Sequence, residues 1–247
     1  STKTGSVVSQ SAPVQTFAKT ALAAVVAGML VNPAFAADKT LQWEVDQSAG
    51  ISAADNVTIT ETGGITLNKT YTDDGFSQTN ENTKFTARKT LTNSGYVRGD
   101  AKLEAAKIVN NAQGEIEMGT VEILSPTATE VITNAGTFSA DTLTTGVGNV
   151  TNTGKMTVKN AYDLQGKLTN NGTQLKLGTA NVTGELANSA KTGATVDVLN
   201  VQGTGRVTGT GTLTATGAVD IATGASLAQG EFDAAAKVTN KGTVNVT

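Results

Sequence analysis

Carboxylates are the side chains with the right chemistry for acid–base catalysis, because the 247-residue chain contains neither histidine nor cysteine. Acidic pairs that are close together in the sequence include Asp73 with Asp74 and Glu115 with Glu117. A pair of carboxylates can supply a general acid and a general base. Asp73 and Asp74 fall in a turn that ends at Gly75, and Glu115 and Glu117 alternate along a predicted strand. Both contexts are typical of solvated surface, so we predict no catalytic residue.

Composition excludes several other kinds of site. The absence of histidine and cysteine removes imidazole bases, zinc sites built on these ligands and disulfide scaffolds. Only 16% of the residues are charged and the net charge is −3, so no basic surface for nucleic acid is expected. Neither the EF-hand pattern nor the calcium-binding nonapeptide is present, and the glycines of 203–209 are wrongly spaced for a phosphate loop. We therefore predict no metal, no cofactor and no nucleic-acid partner.

The dominant pattern is a repeat that reads apolar, Thr, Asn, any residue, Gly. Copies begin at Leu91, Ile132, Val150, Leu168 and Val238. The asparagines at 134, 152, 170 and 188 are spaced by 18 residues each. When weaker copies are included, the repeat predicts a ladder of turn residues, one in each unit: Asn93, Asn110, Asn134, Asn152, Asn170, Asn188, Gly209 and Asn240.

Each unit also contains short runs in which apolar and polar residues alternate, such as 155–158 and 174–177. Alternation with a period of two, rich in Val, Leu and Thr, predicts strands with one buried face. Short strands, tight turns and a repeat of about 18 residues predict an all-β fold, a parallel β-solenoid whose coils stack on one another. Asn and Gly suit the turns because they tolerate positive φ, and stacked Asn amides can bond from coil to coil. An antiparallel sandwich with unrelated Asn-Gly hairpins is the alternative.

The alternation also predicts which side chains point inward. The interior positions are Val150, Met156, Val158, Leu164, Leu168, Leu175, Leu177, Val182, Leu186, Val196, Val198, Val207, Leu213, Val219, Ile221, Leu227, Val244 and Val246. Thr occupies every second position from Thr208 to Thr216, where an ice-binding array is one interpretation. The array is confined to one stretch, which favours an ordinary polar outer face.

Residues 1–36 have the features of a secretory signal peptide with its helix. Positive charges precede an apolar run over 21–31, Pro33 interrupts it, and Ala34-Phe35-Ala36 forms an A-x-A cleavage signature. Ala34 and Ala36 are the predicted cleavage residues. The apolar run is too short to cross the roughly 30 Å of a bilayer core.

The remainder divides into two segments. Residues 37–92 are less regular and are interpreted as first coils and an N-terminal cap, which would protect an open sheet edge. Residues 93–247 carry the solenoid repeats. A copy begins at Val238 and no cap follows it, so we expect the chain to be the front part of a longer protein.

The signal ending in Ala34-Phe35-Ala36, the cap-like segment and the Asn-x-Gly repeats together resemble the start of a bacterial autotransporter passenger, of the type V secretion class. The resemblance covers essentially the whole chain. It implies a right-handed parallel β-helix that a C-terminal barrel, which this sequence does not include, carries through the outer membrane. It also implies a role in adhesion or biofilm formation, and no active-site motif of the family matches.

The expected function is therefore that of a non-enzymatic adhesin or stalk, secreted or displayed on the surface of a Gram-negative bacterium. Its expected partners are a host surface, a glycan or a neighbouring cell. A two-partner-secreted protein similar to filamentous haemagglutinins is one alternative. A solenoid carbohydrate-active enzyme is another, but such enzymes gather acidic residues on adjacent coils, and Asp163, Asp197 and Asp220 are scattered.

Overall fold

The computed structural model describes residues 38–42, 44–46, 55–67, 70–73, 76–79, 84–190 and 193–246. The predicted signal peptide, with Ala34 and Ala36, lies outside these residues. All the regular elements of the described part are β-strands. They are β1 (Lys39–Leu41), β2 (Glu44–Asp46), β3 (Val57–Ile59), β4 (Gly64–Thr66), β5 (Thr70–Asp73), β6 (Phe76–Thr79), β7 (Lys84–Asn93), β8 (Tyr96–Asn110), β9 (Glu115–Ile123), β10 (Glu130–Asn134), β11 (Thr137–Thr144), β12 (Asn149–Asn152), β13 (Lys155–Leu164), β14 (Lys167–Asn170), β15 (Gln174–Val182), β16 (Glu185–Asn188), β17 (Ala194–Val201), β18 (Arg206–Ala215), β19 (Val219–Ile221), β20 (Ser226–Ala234), β21 (Val238–Asn240) and β22 (Thr243–Val246).

The strands form a parallel β-solenoid of about nine turns, with about 19 residues in each turn. This confirms the predicted fold class. One coil illustrates the path: β12 leads through a turn into the first half of β13, a bend separates the two halves of β13, and a second turn leads into β14. Each coil therefore contributes to three stacks of parallel strands. We call them the first stack (which contains β12), the second stack (155–158 of β13) and the third stack (161–164 of β13).

The register between coils is regular. In the first stack Val150 pairs with Leu168, and Leu168 pairs with Leu186. In the third stack Leu164 pairs with Val182. Because neighbouring strands lie about 4.8 Å apart, the stacked coils make a rod roughly 40 Å long.

The core is the narrow interior of the coils, filled by alternate side chains from all three stacks. Most of the predicted interior residues are buried there. Val198 is half-buried instead, because the bend between the stacks interrupts the alternation and Leu199 takes the interior position. Val244 and Val246 are 37% and 50% exposed. They pair with β20 on one side, and no described strand pairs with the other side of β22.

The segment before residue 93 already contains stacked coils. Strand β1 pairs with β3, and β3 pairs with β7, all in the first stack. Strands β2 and β4 pair in the second stack. An antiparallel hairpin, β5 with β6, is inserted between β4 and β7.

Candidate functional site

The most distinctive arrangement is a column of six buried asparagines in the first stack, which we call the Asn column: Asn93, Asn110, Asn134, Asn152, Asn170 and Asn188. The Nδ2 of each donates to the Oδ1 of the next, and all five of these hydrogen bonds are 2.8 Å long. The column therefore joins six coils by an unbroken chain of side-chain hydrogen bonds in the interior.

Most members of the column make a further hydrogen bond to the backbone. The Nδ2 of Asn134 also donates to the carbonyl of Lys155 at 2.8 Å, and that of Asn152 donates to the carbonyl of Gln174 at 3.0 Å. These carbonyls belong to the next coil, just after the turn. Each of these amides therefore bonds both to the next asparagine and to the backbone of the next turn. The geometry of the turns and the continuity of the column consequently depend on each other.

Glycine is required in the Asn-x-Gly turns that follow Asn93, Asn134, Asn152 and Asn170, where a Cβ would meet the backbone of the preceding coil. A Cβ at Gly154 would collide with the carbonyl oxygen of Gly136 in the preceding coil. In the stacked coils the backbone of Lys155 donates to that same carbonyl at 2.8 Å. The repeat Asn-x-Gly therefore combines a buried amide with a close backbone approach two residues later.

The column has defined ends. The Oδ1 of Asn93 is buried and has no hydrogen-bond partner, and the residue stacked against Asn93 in the preceding coil is Ile59. At the other end, the Nδ2 of Asn188 donates to the carbonyl of Thr212 at 2.8 Å.

Beyond Asn188 the column continues without hydrogen-bonded amides. Gly209 occupies the next position with a φ of 130°, and a Cβ there would collide with the carbonyl of Asn188. Gln229 pairs with Gly209 in the following coil. Its side chain is only 1% exposed, and neither of its amide atoms has a hydrogen-bond partner. Gly209 is thus in the predicted position but does not extend the bonded chain.

The prediction that Asn240 belongs to the ladder is wrong. Asn240 pairs with Ile221, and Ile221 pairs with Val201, so Asn240 lies in the third stack. The turn that follows it returns the chain to the first stack at Val244. This turn also requires a glycine, since a Cβ at Gly242 would collide with the carbonyl of Ala225. The same short motif therefore serves two different corners of the coil.

A second ladder, which the repeat motif did not predict, lies on the outer surface of the third stack. The Nδ2 of Asn181 donates to Asp163 Oδ1 at 2.7 Å, and the Nδ2 of Asn200 donates to Asn181 Oδ1 at 2.9 Å. Asp220 is the next residue in register. The spacings of 18, 19 and 20 residues between these positions were the available signal.

The carboxylates considered for catalysis do not converge. Asp163 and Asp220 share a column but are three coils apart, about 14 Å, whereas glycosidase carboxylates are about 5–10 Å apart. Asp197 accepts a hydrogen bond from Thr216, and Glu115 is paired with Arg98 at 2.7 Å. Asp74 lies outside the described residues. Among the residues that are described, no group of three or more acidic side chains could hold a metal ion.

Charged side chains on the outer surface pair between coils. Glu104 lies between Lys84 and Lys102, at 3.2 and 3.0 Å. Partial burial tends to raise the pKa of Glu104, but the hydrogen bonds from Lys102, Lys84 and Thr86 outweigh it and hold the pKa below 4.5. Lys102 also pairs with Glu122 of the following coil, so this network ties three neighbouring coils together on the third stack.

The ionisable side chain of Tyr162 is completely buried. The hydroxyl oxygens of Tyr162 and Thr145 share a hydrogen bond of 2.8 Å inside the solenoid. Burial raises the pKa of Tyr162 to about 12, although the hydrogen bond to Thr145 opposes the shift. The hydroxyl therefore stays protonated in the folded protein well above the pH at which an exposed tyrosine ionises.

Comparisons with protein-family models, with curated proteins and with solved structures give no match for this chain. In the described residues no helix has the length and hydropathy needed to span a bilayer. The fold and the geometry of its own side chains are therefore the basis for a functional proposal.

Proposed function

We propose that the chain is a non-enzymatic β-solenoid passenger of the autotransporter kind, which acts as a stalk or adhesin on the outside of a Gram-negative cell. The observation that carries the proposal is the Asn column. A passenger of this type must keep its shape while exposed to solvent and mechanical load, and the column supplies a continuous interior connection between coils.

The column supports a rigid rod for a physical reason. To separate two neighbouring coils, the backbone hydrogen bonds of three stacks and one buried amide pair must break together. A buried amide left without its partner costs about 1–3 kcal/mol, because no water replaces the lost bond. Bending at a single coil junction is therefore opposed at the centre of the rod as well as at its surface.

Secretion is supported by the sequence features at the start of the chain and by its composition. The segment 1–36 has the order of a signal peptide, and a chain without cysteine needs no disulfide formation on its way to the surface. A two-partner-secreted protein would share these features. The proposal therefore covers both routes, with display on the producing cell as the preferred one.

Location is tested by protease accessibility in the organism that encodes the chain. Antibodies raised against residues 93–246 should detect a protein that added protease removes from intact cells, while a cytoplasmic control protein survives. The N-terminal sequence of the exported protein should begin at Ala37. A protein that is degraded only after lysis, and that retains residues 1–36, would contradict the proposal.

A second experiment separates an adhesin from a stalk. A deletion strain should adhere less to host cells or to its own kind than the parent strain. Added purified chain should block the parent's adhesion if the solenoid itself binds the ligand, and should have no effect if it only raises another binding domain. Unchanged adhesion of the deletion strain would exclude both roles.

A further inference from the structure

A groove lined mostly by polar residues, which we call the polar groove, follows the corner where the chain passes from the third stack back to the first. We call this corner the return corner. The groove crosses the coils that contain Asn149, Lys167, Glu185 and Arg206, and its volume is about 680 Å³. A smaller depression of about 290 Å³ adjoins it on the side of Asp163 and Asn181. With coils about 4.8 Å apart, the groove runs roughly 15 Å along the axis of the rod.

The floor of the groove is backbone, for a steric reason. A Cβ at Gly184 would collide with the carbonyl of Gly166, and one at Gly166 would collide with that of Gly148. Stacking therefore demands a glycine at this position in successive coils. The side chains on either side then stand above a floor without side chains, which is what makes the depression continuous.

Both walls of the groove are held in place by contacts between coils. On one wall Asn181 donates to Asp163 at 2.7 Å. On the other, Glu185 lies 3.3 Å from Lys167 and 3.1 Å from Arg206. The walls are therefore pre-organised, and a ligand would not have to order them.

Two glutamines are positioned to bind a ligand. Both are exposed: Gln165 lines the groove and the adjoining depression, and Gln202 lines the depression two coils further along. Within the described part of the chain, neither side chain makes a hydrogen bond to another residue. Each amide offers two donor hydrogens and an acceptor oxygen, and Thr183 between them adds a hydroxyl.

We propose that this groove binds a neutral glycan chain that lies along the axis of the solenoid. This deepens the proposed function, on which it rests, by naming the ligand class and the surface. A sugar hydroxyl both donates and accepts, and it matches a lining in which amides, hydroxyls and carboxylates alternate. The groove extends over several coils, which suits a polymer rather than a single sugar.

Charge and apolar content distinguish this ligand from others. The lining carries two cations, Lys167 and Arg206, and two carboxylates, Asp163 and Glu185, so it has no net charge to attract a polyanion. A protein partner would favour an apolar centre to the interface. Val147, 44% exposed at one end of the groove, is the large apolar side chain of the lining. It offers a surface for the C–H face of one sugar ring.

The test is calorimetric titration of the full chain with chitohexaose, cellohexaose, maltohexaose and mannohexaose at millimolar concentration, with heparin as the anionic probe. At least one neutral saccharide should bind. The double variant Gln165→Ala/Gln202→Ala removes two hydrogen-bonding amides from the surface, so it should weaken that binding about tenfold. Gln113→Ala is the matched control, because Gln113 is an exposed glutamine at a turn on another corner of the coil.

Several results would overturn the glycan proposal. They are binding of heparin alone, binding of none of the four neutral saccharides, or binding that the double variant leaves unchanged. Self-association that the double variant abolishes would assign the groove to a second copy of the chain. Adhesion that the purified chain blocks, together with no saccharide binding, would reject the groove while keeping the adhesin function.

Discussion

The side-chain amide of Asn134 donates a 2.8 Å hydrogen bond to that of Asn152, exactly one coil further along the solenoid. Both side chains are fully buried, so water is not an alternative partner for either. The same relation repeats from Asn93 to Asn188, which makes the column a shared element of six coils rather than a set of local turn contacts. The stability of interior coils is therefore expected to depend on the column.

Truncation in the middle of the column should be costly. Asn152→Ala removes the amide partner of the Asn134 Nδ2 and of the Asn170 Oδ1, and the side-chain donor to the carbonyl of Gln174, so we expect a loss of about 2–4 kcal/mol in the free energy of unfolding. Chemical denaturation followed by circular dichroism measures it. Asn160→Ala is the control, since Asn160 is exposed and should cost less than about 0.5 kcal/mol. Equal effects of the two substitutions would show that the column adds nothing.

The Oδ1 of Asn93, at the start of the column, is an acceptor without a donor. An asparagine introduced in the preceding coil should therefore be partly stabilised by donating to it. Asn93 Oδ1 lacks a donor, and Ile59, stacked against Asn93, accepts a backbone hydrogen bond from Ser94 just as Asn93 accepts one from Asn111. Ile59→Asn should therefore place an Nδ2 donor beside that oxygen.

The gain is measured by a double-mutant cycle. Ile59→Asn should be more destabilising in an Asn93→Ala background than in the native chain, with a favourable coupling of about 1 kcal/mol. Ile65→Asn is the matched control, because Ile65 is equally buried but lies in the second stack. A coupling near zero would mean that a new amide does not join the column.

Tyr162 predicts a loss of stability at alkaline pH. In the unfolded chain its hydroxyl ionises near pH 10, whereas burial raises its pKa in the folded protein to about 12. The unfolded state loses the proton of Tyr162 at a lower pH than the folded state does. The stability that the protonated hydroxyl contributes is therefore fully present below pH 10 and is lost as the pH rises toward 12. The size of the loss is at most about 3 kcal/mol.

The comparison that isolates this effect is a paired variant. Tyr162→Phe with Thr145→Val removes both buried hydroxyls, so no donor is left without its partner. Unfolding free energies measured from pH 9 to 12 should fall less steeply in the variant than in the native chain. Parallel curves would mean that ionisation of Tyr162 is not linked to unfolding.

The two types of turn glycine should respond differently to a methyl group. Gly154→Ala forces a Cβ against the carbonyl of Gly136, and we expect a loss of more than about 3 kcal/mol or failure to fold. Gly203 has a φ of 59° but open space around its Cβ position. Gly203→Ala should therefore cost only the backbone strain of about 1–2 kcal/mol. Thermal unfolding of both variants tests the order, and a reversed order would contradict the stacking geometry.

The sequence was informative where one corner of the coil repeats at constant spacing. The 18-residue interval between Asn134, Asn152, Asn170 and Asn188 fixes both the fold and the register of these residues. The alternation predicted the buried positions because each strand has one face inside. It failed at Val198, where a bend within the coil changes which side chain points inward.

Asn240 shows why the register could not be extended by motif alone. Stacking demands a glycine two residues after the strand at both the Asn corner and the return corner, so Asn240-Lys241-Gly242 satisfies either. Only the number of residues since the last corner decides between them, and that number varies outside the regular units. The polar groove was hidden for a related reason, since its lining comes from several coils and exists only once the register is known.

The constant interval in the middle of the chain has a consequence for how such a protein changes over generations. Removing residues 153–170 as a block would stack Asn152 directly on Asn188. The Nδ2 of Asn152 could then donate to the Oδ1 of Asn188 in the register that the column already has. Duplicating the block would likewise keep the Asn column in register. Unequal recombination between the corresponding stretches of the gene would therefore shorten or lengthen the rod in whole coils while the Asn column stays in register.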